Sequence, residues 1–195
     1  MAVDGEAMRD ERTAQFLNGI SLLRVVLVVP IMALVLLGNT VRYAYAAAAV
    51  LFALAAATDF VDGYLARRWL ATSVLGAFLD TTADKLLVSG ALIALVAAGR
   101  ASPWAAVIIV GREIAVLGLR AVAASGGTVI EASIWGKLKF SVQVLAIFLA
   151  ILRYPHRFGY LYVDEWVMTA AVLITALSAV EYFTRLSSVL RTQRP

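Results

Sequence analysis

Cysteine is absent and histidine is reduced to the single His156, so disulfide staples and thiolate metal centres are excluded and a histidine-based metal site has no set of ligands. Any metal must be held by oxygen. Charge is scarce too: Asp, Glu, Lys and Arg make up 15% of the 195 residues while 62% are apolar, against roughly one half apolar in an ordinary soluble domain. With a mean hydropathy of +0.87, these proportions imply an integral membrane protein. No small-residue cleavage site follows a short apolar run near the N-terminus, so the first apolar helix is expected to stay in the mature protein. No linker separates domains, and no repeat or low-complexity tract appears beyond the Ala-rich stretch 44–57, whose small side chains suit close helix packing. A single membrane domain over 1–195 is expected.

What is present in quantity is apolar length. Crossing a hydrocarbon core of about 30 Å takes ~17–25 residues in a helix. Runs of that kind fall at about 18–38, 43–62, 76–98, 103–123, 138–153 and 161–184, the fifth being short unless its polar N-terminal turn is counted. The expected fold is an all-α integral membrane bundle of six transmembrane helices. Residues 1–16 are polar and read as a short interfacial helix with Phe16, Leu17 and Ile20 toward lipid, or as a frayed tail. Loops are expected near 38–42, 67–75, 99–103, 124–136 and 154–160.

The basic residues are distributed unevenly over these runs. With the N-terminus inside, every Lys and Arg except Arg42, Arg100, Arg153 and Arg157 lies in an inward-facing segment or at a nearby helix end. This follows the positive-inside rule and predicts cytoplasmic termini in a cell-membrane protein. A net charge of +4 does not point to nucleic acid, because the bases are scattered along membrane boundaries; an anionic lipid surface is the better partner. Trp104, Trp135, Trp166, Tyr160 and Tyr162 fall near the boundaries as interfacial belts, and Asp164 and Glu165 read as helix-start charges.

Against this apolar background, residues 59–84 read DFVDGYLARRWLATSVLGAFLDTTAD, the frame D-x2-D-G-x2-A-R-x8-G-x3-D-x3-D. A carboxylate at mid-bilayer costs roughly 2.5–3.5 kcal/mol on insertion scales, so four of them ask for compensating cations. Asp59 and Asp62 share one helix face, as do Asp80 and Asp84, and a turn between the two helices brings all four together at the cytosolic boundary. Hard oxygen ligands select Mg²⁺ or Mn²⁺, as a pair of ions bridged by shared carboxylates. Gly63 and Ala66 remove bulk beside the first pair, Gly76 opens the start of the third helix, and Arg67 offers a forked donor to phosphate oxygens. The residues alone therefore give metal-dependent chemistry on a phosphoanhydride at the inner membrane face.

The frame closely resembles the signature of the CDP-alcohol phosphotransferase family, with every fixed position matched. The resemblance implies that Asp59, Asp62 and Asp80 are metal ligands, that Asp84 is a ligand and also the general base, and that Gly63, Ala66, Arg67 and Gly76 surround the CDP moiety with Asp59 and Asp62. It also implies a six-helix bundle, usually homodimeric, with a polar cavity open to the cytosol. Capping or pairing with Arg67, Arg68, Lys85 and Arg112 is the structural alternative for any one of these acids.

Further along, GREIAVLGLR at 111–120 and GKLKFSVQ at 136–143 carry Arg112, Glu113, Arg120, Lys137 and Lys139. Their positive field suits an acceptor with its own phosphate. Both segments, and N-x-I-S-x2-R at Asn18 to Arg24, resemble the branch of the family that uses glycerol 3-phosphate. Leu17, Ser21 and Phe140 depart from that branch, where proline, threonine and threonine are usual. The implied reaction joins glycerol 3-phosphate to CDP-diacylglycerol, with Arg112, Arg120, Lys137 and Lys139 holding the acceptor phosphate. Alternatives are another acceptor within the family, as in a cardiolipin or phosphatidylinositol-phosphate synthase, or a cation transporter using the same carboxylates. Lys137 and Lys139 can also be inner-face anchors, Arg112 and Glu113 an internal pair, and Gln143 a bond to a neighbouring helix.

Overall fold

The computed structural model describes the backbone of residues 2–69, 74–125, 134–153 and 157–192, and the side chains of 18–58, 76, 78–124, 136, 138–153 and 157–184. Six helices carry nearly all of it: α1 (Ala2–Leu36), α2 (Ala44–Trp69), α3 (Val74–Ala97), α4 (Pro103–Ser125), α5 (Ile134–Leu152) and α6 (Val163–Thr192). Two short strands, β1 (Arg157–Phe158) and β2 (Leu161–Tyr162), stand before α6. The chain divides into two compact units, Met1–Ala98 and Gly99–Pro195, taken here in turn.

In the first unit α1 packs against both α3 and α2. Its buried positions are Ser21, Arg24, Val28, Ile31 and Val35, a 3-4-3-4 spacing that makes one stripe, while Leu22, Leu23, Val26 and Val29 are exposed on the other side. In water such an apolar exterior would be costly; in lipid it is the expected surface. Close approach is secured by small residues. A Cβ added at Gly90 of α3 would stand 2.6 Å from Val28 Cγ1 and 3.1 Å from Met32 Sδ, so glycine alone lets α1 and α3 meet there. Ala48, Ala49, Ala55 and Ala56, from the Ala-rich tract, are buried on α2.

The expected break between an interfacial helix over 1–16 and the first apolar run is not found: α1 is continuous from Ala2 to Leu36. Neither Asn18 nor Gly19 interrupts the backbone hydrogen-bond ladder, since a glycine within a helix costs only about 1 kcal/mol. α2 also continues past the expected end at 62 to Trp69, which puts Asp59, Asp62, Gly63, Ala66 and Arg67 all on helical backbone.

In the second unit α6 packs against α5 and α4. Its buried residues Asp164, Met168, Ala171, Thr175, Ser178 and Tyr182 repeat in a 4-3-4-3-4 spacing. Gln143 of α5 donates from Nε2 to Thr175 Oγ1 at 2.8 Å, so the helix-to-helix bond allowed for this glutamine is present. α5 begins at Ile134, and counting its polar first turn gives it 19 residues. Of the segment expected as a loop over 154–160, the described part from Arg157 on belongs to a hairpin, with Arg157 opposite Tyr162 and Phe158 opposite Leu161. Gly159, at φ 70°, supplies the left-handed residue that its two-residue turn requires. The backbone N–H of Tyr162 donates to Glu165 Oε2 at 2.9 Å, a cap for α6 that agrees with Glu165 as a helix-start charge.

Among the described residues, Asn18–Leu36 of α1 and Val163–Thr184 of α6 are long and apolar enough to cross a membrane, and Ala44–Thr58 and Leu138–Leu152 are shorter apolar stretches. Trp104 and Tyr160 are exposed, as belt residues would be, and Trp166 is anchored by donating from Nε1 to the Phe158 carbonyl at 2.9 Å. Trp135 and His156 lie outside the described side chains.

Candidate active site

Asp80 and Asp84 lie four residues apart on α3, one helical turn, and therefore on one face. Arg24, fully buried on α1, reaches both. Its Nη1 donates to Asp84 Oδ1 at 2.7 Å and lies 3.4 Å from Asp80 Oδ1. One guanidinium thus draws two carboxylates together, with side-chain exposures of 44% for Asp80 and 24% for Asp84. The shorter contact is a charge-assisted hydrogen bond, and because α1 and α3 are packed along their length, the Asp84 side chain is held in one orientation. Two carboxylates oriented around a cation, at a partly open surface and with oxygen the only donor type, fit a divalent ion of the magnesium or manganese kind.

The other half of the acidic frame is on α2. Asp59, Asp62, Gly63, Ala66 and Arg67 are placed as helical backbone, but their side chains lie outside the described residues. Asp59 and Asp62 keep the three-residue spacing of one face. Gly76 is half-buried in the first turn of α3. Among the described residues no three His, Cys, Asp or Glu side chains form a group able to hold a metal.

Within the second unit, basic residues cluster around one anion and one aromatic ring. Lys139 of α5 is buried and its ammonium is bonded to Glu113 of α4. Arg112 Nη1 lies 3.6 Å from the same Glu113 oxygen. Both arginines approach Tyr182 of α6: each guanidinium carbon is 5.9 Å from the ring centroid, and Arg120 Nε donates to the phenol oxygen at 2.7 Å. The Arg112 side chain is only 9% exposed, its Nε has no hydrogen-bond partner, and it donates no hydrogen bond among the described residues. A buried forked cation with unused donors is costly unless an anion completes it. Arg112, Arg120 and Lys139 are therefore brought together around Glu113 and Tyr182; the Lys137 side chain lies outside the described residues.

Arg24 and Tyr182 are the two residues that reading for motifs did not single out as site members. For Arg24 the available signals were its place at the end of N-x-I-S-x2-R and its position as a lone arginine inside the first apolar run, since an intramembrane charge needs a partner. For Tyr182 no local signal exists; a tyrosine in the last apolar run reads as packing until α4 is seen beside it.

The model of the CDP-alcohol phosphatidyltransferase family matches residues 16–177, a span that runs through both units. The chain belongs to that family. It is 37% identical over 187 residues, covering 90% of this chain and 96% of the relative, to a CDP-diacylglycerol--glycerol-3-phosphate 3-phosphatidyltransferase of Bacillus subtilis (strain 168). It is 40% identical over 183 residues, 93% of this chain and 86% of the relative, to a Mycobacterium tuberculosis protein named as a probable phosphatidylglycerophosphate synthase. A third relative, from Pseudomonas fluorescens and bearing the same name as the first, is 41% identical over 144 residues, 71% of this chain and 72% of its own.

Proposed function

We propose that this chain transfers the phosphatidyl group of CDP-diacylglycerol to glycerol 3-phosphate, giving phosphatidylglycerol phosphate and CMP. The names carried by relatives that match this chain over most of its length support the reaction. The observation that carries the acceptor is Arg112, a buried guanidinium with unused donors beside Arg120 and Tyr182, which suits a phosphate monoester far better than a neutral alcohol.

In this reading Asp84, oriented by Arg24, takes the proton of the acceptor's primary hydroxyl. The acceptor oxygen bonds to the phosphorus that bears the diacylglycerol, the bond from that phosphorus to the bridging oxygen breaks, and CMP departs with the electron pair. Arg112, Arg120, Lys137 and Lys139 hold the acceptor phosphate, while Gly63, Ala66, Arg67 and Gly76 leave room for and contact the CDP moiety. Asp59, Asp62, Asp80 and Asp84 would hold two Mg²⁺ or Mn²⁺ ions, whose charge offsets that of the pyrophosphate. Lys139 is also bonded to Glu113, which it shares with Arg112.

Six spans in one membrane domain over 1–195, cytoplasmic termini, a cytosolic active site, a homodimer and membrane lipids as neighbours complete the proposal. The continuous family match across both units and the apolar exteriors of α1 and α6 support it. Family membership sets the transporter aside. The test is CMP release by purified protein given CDP-diacylglycerol, Mg²⁺ and one acceptor at a time. Release that depends on glycerol 3-phosphate is expected; release only with phosphatidylglycerol or inositol phosphate would move the chain to another branch of the family.

A further inference from the structure

At the end of the second unit where α4 and α6 begin lies a cavity of about 510 Å³. It is lined on α4 by Trp104 and Ile108, the latter about three turns short of Arg120 and one turn short of Arg112, and is distinct from the basic cluster. Along α6 its wall changes character. Asp164 and Glu165 stand at one end, and Met168, Val172 and Leu173 follow, so over about 13 Å of helix the lining passes from ionic to apolar. That gradient is the shape of an amphiphile: a polar head and a hydrocarbon tail.

The ionic end is incompletely satisfied. Asp164 is 2% exposed, and neither carboxylate oxygen accepts a hydrogen bond. Its nearest cation, Arg153 Nε, is 3.6 Å away, beyond hydrogen-bond range, and that nitrogen is unpartnered as well. The other two nitrogens of Arg153 make only long contacts: Nη2 lies 3.3 Å from the Arg100 carbonyl and 3.8 Å from Glu165, and Nη1 lies 3.5 Å from the Gly99 carbonyl. A buried carboxylate normally recovers its lost hydration through hydrogen bonds, and here none is supplied by the protein.

We infer that this cavity binds a phospholipid with a primary ammonium in its headgroup, the ammonium donating to Asp164 and the phosphate meeting Arg153. Arg100 and Arg153 balance Asp164 and Glu165, so the lining favours a zwitterion over a net anion. An ethanolamine phosphate carries its two charges two carbons apart, which suits a cation and an anion as close as Arg153 and Asp164. A choline headgroup has the same charge but no N–H to give Asp164. The tail lies along Ile108, Val172 and Leu173. Under the topology proposed above this lipid comes from the outer leaflet, away from the reaction; the binding itself does not depend on which acceptor the enzyme uses.

The experiment is native mass spectrometry of the purified full-length protein in detergent, titrated separately with phosphatidylethanolamine, phosphatidylcholine and phosphatidylglycerol of identical chains. Phosphatidylethanolamine is expected to bind about tenfold more tightly than phosphatidylcholine, the worth of a hydrogen bond to a charged group. Asp164→Asn is expected to remove that preference. Equal retention of the ethanolamine and choline lipids, or stronger retention of phosphatidylglycerol, would overturn the assignment, as would a preference that survives Asp164→Asn. Should that variant fold poorly, Leu173→Trp fills the apolar end and leaves the charges in place. It is expected to lower ethanolamine-lipid binding about tenfold, and retention at the wild-type level would overturn the proposal equally.

Discussion

Replacing Arg24 by methionine isolates the one cation that joins α1 to the acidic turn of α3. Methionine keeps an unbranched stem for the buried stripe, so the change removes the guanidinium and little of the packing. The bond to Asp84, 2.7 Å long and charge-assisted, is of a kind that contributes about 1.5–3 kcal/mol. The second contact, 3.4 Å to a carboxylate that is 44% exposed, adds roughly 0–1 kcal/mol. Water can reach Asp84, whose side chain is 24% exposed, and offsets part of the loss. The expected cost is about 2–3 kcal/mol, below the ~3–5 kcal/mol of stripping one partner from a fully buried pair. At roughly 2–4 °C per kcal/mol for a chain of this size, the melting midpoint of the detergent-purified protein should fall by about 4–12 °C. A double-mutant cycle with Asp84→Asn sharpens the test: the combined variant should be less destabilised than the sum of the singles by about 2 kcal/mol. A midpoint within about 1 °C of wild type, or strictly additive losses in the cycle, would refute the account of Arg24 as the group that orients Asp84.

Tyr182→Phe keeps the ring between Arg112 and Arg120 but deletes the acceptor that fixes Arg120, so the KM for glycerol 3-phosphate should rise about tenfold with the KM for CDP-diacylglycerol unchanged; steady-state kinetics on both substrates decide it. Gly90→Val forces a side chain into Val28 and Met32 and should destabilise by about 1–3 kcal/mol or more, read as a lower melting midpoint. Chelation with EDTA should abolish CMP release and added Mg²⁺ or Mn²⁺ should restore it; turnover in the presence of excess chelator would remove the carboxylate-bound metal from the reaction.

The acidic frame was legible because its spacing is local. Asp80 and Asp84 share a face for the same reason that any i, i+4 pair does, and only helix geometry was needed to see it. The partner of Asp84 was not, because Arg24 is 60 residues away along the chain and the pairing depends on how α1 and α3 pack. Helix identity likewise followed from apolar length, whereas ends did not: α2 runs on to Trp69 because nothing in DFVDGYLARRW breaks a helix, although its charges suggested leaving the membrane. The hairpin before α6 was hidden in a segment too short for alternation to show, and only Gly159 hinted at its turn. Asp164 and Glu165 look alike in sequence as helix-start acids. In the fold Glu165 caps the Tyr162 N–H while Asp164 is buried in the wall of the cavity, a difference of one residue's rotation about α6.

Lipid tails are as apolar as leucine, so helices in a membrane are held by close packing and polar contacts more than by burial. Several polar pairs join helices of this protein and, in the proposed reaction, would serve its chemistry as well: Arg24 with Asp84, and Lys139 with Glu113. Gln143 is the position where the two roles can be separated. It lies in the same segment as Lys139, and resemblance to the glycerol 3-phosphate branch would allow it near the acceptor, yet its amide donates to Thr175, which itself donates to the Ala171 carbonyl at 2.6 Å. Gln143→Leu leaves Thr175 with that second bond, so the loss is a single interhelical contact, on average about 0.6 kcal/mol between membrane helices. If Gln143 is purely such a contact, the variant should melt within about 3 °C of wild type and turn over with unchanged KM for glycerol 3-phosphate. A rise in that KM with the midpoint unmoved would instead mean that Gln143 reaches the acceptor, and the polar interior of the second unit would then belong to the binding site rather than to the packing of α5 on α6.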